Sequence, residues 1–475
     1  MENWQALLIF FIVRIASVFL VQTWYVADEY WQSLEVAHKF VFDYGDLTWE
    51  WKLGIRSYIY PFLILCLYKI LHFIKLDYVN LLIFLPRIMQ ALLSTYADYS
   101  FFKWSGHKKW SVFIIASSFF WFYTGSRTLV NSVETALTMI ALSYYPWPDK
   151  QNDDINKFIW TLGIACAIRP TAAIPWLPLC FYHTKTSKES LFRLLVSRYL
   201  PIGITIFVTT IMIDSYLHGS FLVSSYEFLK LNLVQDIGAI YGSHPWHWYL
   251  SNGIPTILGV NFVPFMLAAY YTLKNRFILP NELVLLSSMV FTTAIYSYLS
   301  HKEFRFILPI LPMALHIISN YLSRWSAKVD IIYVWIVAGV ILIGNLVPAY
   351  YISYVHQRGS LDVMTDVHGI ANRHPKNTSF LFLMPCHSTP LYSHIHESCL
   401  PIWLRGHYPP TGKLPSHIII FDVLQAFITD ILSRYRPIKH IFHTNIITDA
   451  RVGQNIIIYE LVKMNNTIIV EPSTV

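Results

Sequence analysis

The sequence predicts a polytopic α-helical membrane protein of about eleven spans, with a small α/β domain at its C-terminal end. Three observations lead there. Of 475 residues, 55% are hydrophobic and 13% charged, whereas a soluble domain carries about 25% charged residues. Such a chain cannot cover itself with water-compatible groups, so lipid must cover it. Apolar runs near the length of a bilayer crossing, about 20 residues, recur through the first three quarters. After residue 352 the runs shorten and become β-prone.

In order, the runs lie near 5–22, 57–74, 79–102, 111–125, 128–146, 158–182, 198–216, 254–273, 282–300, 304–322 and 331–351. The first is broken by Arg14 and has no convincing small-residue cleavage site after it, so it reads as a retained span and not a signal peptide. Run 111–125 is short enough to be buried or re-entrant. Pro170, Pro175, Pro178, Pro309 and Pro312 fall inside runs, where neighbouring groups can satisfy the freed carbonyls. Cys66, Cys166 and Cys180 also lie in apolar runs and read as inert. These bounds give a multi-span region, 1–351, and a C-terminal domain, 352–475.

The net charge of +7 suits basic cytosolic loops. No basic stripe interleaved with aromatics appears, so a nucleic-acid partner is not expected. The basic segments Lys185–Arg198, Lys274–Arg276 and Arg324–Lys328 should face the cytosol. Loops 23–56, 217–253 and around 301, with everything after 351, then face the other side. Lys103–Lys109 resists: it is basic, yet simple counting puts it opposite the others. Either that loop breaks the rule or a nearby run does not span.

In the tail, Ser379–Leu383, His417–Phe421 and Asn455–Leu461 read as strands and 422–435 as a helix. Two glycosylation sequons begin at Asn377 and Asn465 and suggest a glycoprotein. Cys386 and Cys399 can pair if this domain faces an oxidising compartment.

The chemistry-bearing residues crowd the non-cytosolic loops. Asp28-Glu29 follows the first span and precedes an amphipathic stretch. An acidic pair there can simply cap a helix, or a carboxylate can take the proton from an attacking sugar hydroxyl. Trp49, Trp51, Lys52 and Arg56 combine flat rings with cations, suited to an interfacial belt or to sugars and phosphate. His301, Lys302, Glu303 and Arg305 interrupt two apolar runs with almost no loop to solvate them, which marks a functional pathway. The cations among them are candidates to hold a phosphate. His244, Trp246 and His247 form a dense His/aromatic cluster. The Pro between the histidines and the lack of an adjacent carboxylate argue against metal, leaving carbohydrate or lipid-phosphate contact. Arg127 to Glu134 and Arg169-Pro170-Thr171 read as internal salt bridges.

Together, Asp28-Glu29-Tyr30-Trp31-Gln32, Thr48-Trp49-Glu50-Trp51, Ile55-Arg56-Ser57-Tyr58 and His301-Lys302-Glu303-Phe304-Arg305-Phe306 resemble the signatures of the endoplasmic-reticulum mannosyltransferases that use dolichyl-phosphate-mannose (glycosyltransferase family 22). Tyr241–Tyr249 and Met384–Pro390 resemble the branch that adds the third, α1,2-linked mannose to the glycosylphosphatidylinositol (GPI) anchor. The likeness runs from residue 28 to about 400. One departure is Ala27, where relatives often carry Pro after His. The resemblance implies a GT-C fold in the endoplasmic-reticulum membrane, multi-pass, with its catalytic face lumenal. It implies an inverting transfer with Asp28 as base and Glu29 as its neighbour, a dolichyl-phosphate-mannose donor and a GPI-precursor lipid acceptor. His301, Lys302, Glu303 and Arg305 become donor-phosphate or substrate residues, alongside Arg56, His244, His247, Trp49 and Trp246. No cofactor or metal is expected, because cations can neutralise a single phosphate. An N-glycan mannosyltransferase of the same family is the nearest alternative. A lipid-sugar transporter is more remote, since no repeated pair of broken-helix halves is evident.

Overall fold

A charged residue in an apolar helix needs a partner, and the first helix shows how this chain supplies one. The computed structural model describes residues 2–148, 155–374, 377–398, 400–404, 414–447 and 449–462. Helices α1 (Asn3–Leu20), α2 (Glu35–Phe42), α3 (Trp49–Lys52), α4 (Ile59–Phe73) and α5 (Val79–Trp104) come first. Arg14 of α1 is fully buried. Its Nε donates to Asp98 of α5 at 2.6 Å and its Nη1 to the Trp121 carbonyl at 3.0 Å. The Trp121 indole N–H returns to Asp98 at 2.8 Å. Near the other end of α1, Arg87 of α5 donates to the Val21 carbonyl at 2.8 Å, one of the acceptors a helix end leaves open. The two helices therefore run antiparallel, and α5 ends beside the N-terminal half of α1.

That pairing resolves the basic loop. Helix α4 has 15 residues, about 22 Å of helix against a hydrocarbon core of about 30 Å. It lies along α2: Phe40 meets Tyr58 at 5.6 Å between ring centroids, and Phe42 meets His72 at 5.3 Å. The run expected to span at 57–74 is thus too short and is engaged with a helix of the Asp28 loop. Lys103–Lys109 moves to the side away from Asp28. Lys108 reaches Asn320 at 2.5 Å and Trp110 reaches Ser326 at 3.0 Å, next to the basic Arg324–Lys328.

After α6 (Lys109–Ser117) and α7 (Phe119–Thr124), broken at Ser118, come α8 (Val130–Tyr144), α9 (Ile155–Ile168) and α10 (Leu177–Thr186). The run read as one span at 158–182 is a hairpin. Phe158 and Trp176 meet at 5.3 Å, and the Tyr145 hydroxyl donates to the Leu179 carbonyl at 2.7 Å. Such contacts are impossible across 18 residues of straight helix, about 27 Å. Pro170 is the cause: it pushes Arg169 out of the helical region, to φ −146° and ψ 111°. Six helical stretches among the described residues are long and apolar enough to cross a membrane: Asn3–Leu20, Val79–Trp104, Leu191–His218, Tyr249–Lys274, Phe304–Ser326 and Ile331–Arg373. Of an 18-residue stretch within Phe304–Ser326, 83% is buried inside the protein, against 11% of one within Ile331–Arg373, so the former is central and the latter faces outward.

Apart from the end of Ile331–Arg373, all of this belongs to one unit, Met1–Val21 with Asp28–Ser353; Gln22–Ala27 and Tyr354–Val475 form the second. In the second, the Trp24 N–H donates to the Gln357 carbonyl at 3.1 Å. Strands β1 (Phe380–Phe382), β2 (Ile402–Leu404), β3 (His417–Phe421), β4 (Tyr435–Phe442) and β5 (Asn455–Leu461) form a sheet in the order β2-β1-β3-β5-β4. The first three are parallel; β5 is antiparallel to β3 and β4. Leu381, Ile418, Ile420, Ile457 and Tyr459 make a core on the sheet. Segment 422–435 is not the helix its composition suggests: it holds a 3-10 turn, Asp422–Phe427, and a single helical turn, Thr429–Leu432. Asn377 is exposed. Cys399 and Asn465 lie outside the described residues.

Candidate active site

Asp28 and Glu29 open a helix that passes through a five-residue π-turn, Tyr30–Leu34, into α2. Turns of this kind concentrate at functional sites because they re-aim side chains. Here Gln32, four residues on, brings its amide to Asp28 Oδ2 at 2.6 Å and also to Glu50 at 3.0 Å. Arg305 Nη1 bonds the same Asp28 oxygen. Its Nε and Nη2 form a fork on Glu303, each at 2.7 Å. His301 Nε2 lies 2.9 Å from Glu303, and Arg56 pairs with Glu50 at 2.7 Å and approaches Asp28 at 3.9 Å. Three loops distant in sequence, 28–32, 50–56 and 301–305, thus share one chain of charges.

The network sets its own protonation. Burial alone would raise the Glu303 carboxyl, but Arg305 and His301 overcome it and hold Glu303 well below the usual carboxylate range. The hydrogen bond to Glu303 raises His301 above the ordinary histidine value despite partial burial. His244 shifts down, first through burial and then through its cationic neighbours His301 and Lys302.

The structure brings Asp28, Arg56, His301, Glu303 and Arg305 together. Glu29 is not with them. It is 1% exposed and bonds Arg127 at 2.6 Å, while Arg127 lies over the Tyr123 ring at 4.2 Å. Glu29 therefore anchors the helix and stands apart from the charges around Asp28. Lys302 also departs from expectation. It is 3% exposed, and its ammonium donates to the carbonyls of His244, at 3.0 Å, and Leu299. With the His244 N–H on the Ser300 carbonyl at 3.0 Å and Ser300 Oγ on Asp236 at 2.8 Å, Lys302 stitches the 236–249 loop to the hairpin. Trp49 joins through the Tyr241 hydroxyl at 3.1 Å. Trp246 is 69% exposed and meets the His247 ring edge-on at 5.7 Å, and His247 also reaches Ser251 at 3.3 Å. No group of three His, Cys, Asp or Glu among the described residues could hold a metal ion.

Gln32 and Glu50 were within the flagged motifs but carried no role there. The four-residue spacing from Asp28 to Gln32 is the signal that could have found the first. Glu50 carries no comparable mark.

Comparison with known proteins bears on this geometry. Residues 5–396 match the model of a family described as the Alg9-like mannosyltransferase family. GPI mannosyltransferase 3 of Drosophila melanogaster is 46% identical over 91% of this chain and 82% of its own length. GPI alpha-1,2-mannosyltransferase 3 of Homo sapiens is 38% identical, over 97% of this chain and 87% of its own. Among solved structures, ArnT from Cupriavidus metallidurans bound to undecaprenyl phosphate superposes with a TM-score of 0.62 over 97% of this chain and 98% of that one. At 11% identity that likeness shows the fold alone, a GT-C fold.

Proposed function

The chain belongs to the Alg9-like mannosyltransferase family, and on that premise we propose that it moves mannose from dolichyl-phosphate-mannose to the 2-hydroxyl of the second mannose of a GPI-anchor precursor. The product carries the third mannose in α1,2 linkage. The protein is a membrane glycosyltransferase. We assign it to the endoplasmic reticulum with its site facing the lumen, a reading supported by the basic Lys103–Lys109 and Arg324–Lys328 segments lying together on the side opposite Asp28.

One observation carries the mechanism. Asp28 Oδ2 is engaged by Gln32 and Arg305, while Oδ1 has no hydrogen-bond partner among the described residues and the side chain is 21% exposed. One oxygen is fixed and the other is open. The acceptor hydroxyl gives its proton to Oδ1 as its oxygen forms the new bond to the anomeric carbon. The bond from that carbon to the phosphate oxygen breaks, and its electron pair leaves with dolichyl phosphate. Attack opposite the leaving group converts the β-linked donor into an α-linked product. Arg305 keeps Asp28 oriented. Asp28→Asn should lower transfer about 10²–10⁴-fold at unchanged protein abundance, assayed with a dimannosyl GPI acceptor and linkage analysis of the product. Wild-type turnover by that variant would remove Asp28 as base. Preference of the purified chain for an N-glycan precursor would reassign the acceptor.

A further inference from the structure

An arginine fork has five N–H groups, and how many are already committed decides whether it can take up a ligand. Arg305 donates three, two to Glu303 and one to Asp28. Lys302 is tied to two carbonyls. The hairpin expected to hold a phosphate has therefore committed much of its donor capacity to the protein itself.

Spare capacity lies in an adjoining cleft whose lining includes Gln32, Arg56, Arg169, Ser225 and Phe228. Among the described residues Arg169 makes a single side-chain hydrogen bond, Nη1 to Glu134 at 2.9 Å, and its guanidinium lies over the Phe306 ring at 5.3 Å. Arg56 spends its Nη2 on Glu50 at 2.7 Å and approaches Asp28 at 3.9 Å, while its Nε is buried without a partner among the described residues, and it lies over Phe228 at 5.7 Å. Arg169 is held in orientation by one carboxylate and one ring, and Arg56 by two carboxylates and one ring, with donors left over on both. Both line the same small cleft. The Pro170 break that reverses α9 leaves Arg169 extended at its rim.

We infer that this cleft is the subsite for a phosphodiester anion, the leaving phosphate of the lipid-linked donor, held between Arg56 and Arg169. The inference rests on the proposed transfer and adds to it the residue Arg169. Two guanidinium groups match the two non-bridging oxygens of a phosphodiester. The place also suits inversion, in which the attacking and leaving oxygens lie on opposite sides of the anomeric carbon. The phosphate must then be near the base without touching it. Two side chains of the cleft reach Asp28, Gln32 at 2.6 Å and Arg56 at 3.9 Å.

The test uses the purified full chain with dolichyl-phosphate-mannose, a dimannosyl GPI acceptor, and dolichyl phosphate as product inhibitor. Arg169→Lys keeps a charge beside Glu134 but loses the fork. It should raise the donor KM and the dolichyl phosphate inhibition constant about tenfold, with the acceptor KM unmoved. Removing Arg169 alone would strand the buried Glu134, so the second variant pairs Arg169→Gln with Glu134→Gln. It should fold and show a larger donor defect. Donor KM and inhibition constant unchanged in both variants would overturn the assignment. So would a rise confined to the acceptor KM, which would give the cleft to the acceptor's own phosphodiester. A wild-type chain that failed to use this donor would instead overturn the proposed transfer.

Discussion

The ion pair between α1 and α5 and the charges around Asp28 use the same residue types to opposite ends. Arg14 and Asp98 are both fully buried side chains, sealed from any incoming molecule. Arg305, Asp28 and Arg56 are 10%, 21% and 26% exposed, and one oxygen of Asp28 is open. Adjacent residues repeat the contrast: Asp28 faces its network while Glu29 is locked onto Arg127. In a membrane protein, then, a charge in an apolar setting does not by itself mark chemistry. A charge that stays partly exposed with an uncommitted atom does.

The largest effect should come from breaking a sealed pair. Arg14→Leu strands the Asp98 charge and should cost about 3–5 kcal/mol, read as lost thermal stability and abundance, with surviving protein showing a normal donor KM. Arg14→Leu combined with Asp98→Leu should recover most of that loss. If the single variant were stable and catalytically impaired, the contrast would fail. A smaller effect is expected at the open end. Arg305→Lys removes the fork that joins Glu303 to Asp28 and should lower kcat about tenfold with little change in melting temperature. The smallest is a pH effect. His301 is raised above its ordinary value of 6.5 by Glu303, so the folded state holds this proton more tightly than the unfolded one. Its contribution to stability is complete below 6.5 and is lost as pH climbs through the raised folded value. Melting temperature should therefore decline gently from neutral into mildly alkaline solution, and His301→Gln should flatten that limb.

Much of this was legible beforehand, and the misreadings share a cause. Hydropathy reports that a run is apolar, not which way it travels. Runs 57–74 and 158–182 both read as spans; the helix in the first, Ile59–Phe73, is too short and lies along α2, and the other run doubles back at Pro170. The conflict over Lys103–Lys109 was a true signal, because a charge pattern registers direction where hydropathy does not. At the site, the charged residues of the loops were visible but their partners were not. Lys302 looked available for phosphate, yet two backbone carbonyls hold it. Arg169 read as an internal salt bridge, and the bond to Glu134 is present; the donors it leaves over depend on a backbone reversal that composition does not reveal. Segment 422–435 reads as one helix, but it is divided into a 3-10 turn, Asp422–Phe427, and a single helical turn, Thr429–Leu432, before β4 begins.

The partner of Arg14 stands 84 positions downstream. At about 5–20 residues per second of synthesis, the ribosome takes roughly 4–17 s to bring Asp98 out after Arg14. During that interval the newborn first helix sits in the translocation machinery with a guanidinium and no counterion. It must lean on water, lipid headgroups or an insertion factor until its mate arrives, which makes the arrival of α5 the step that commits the nascent chain to its final assembly.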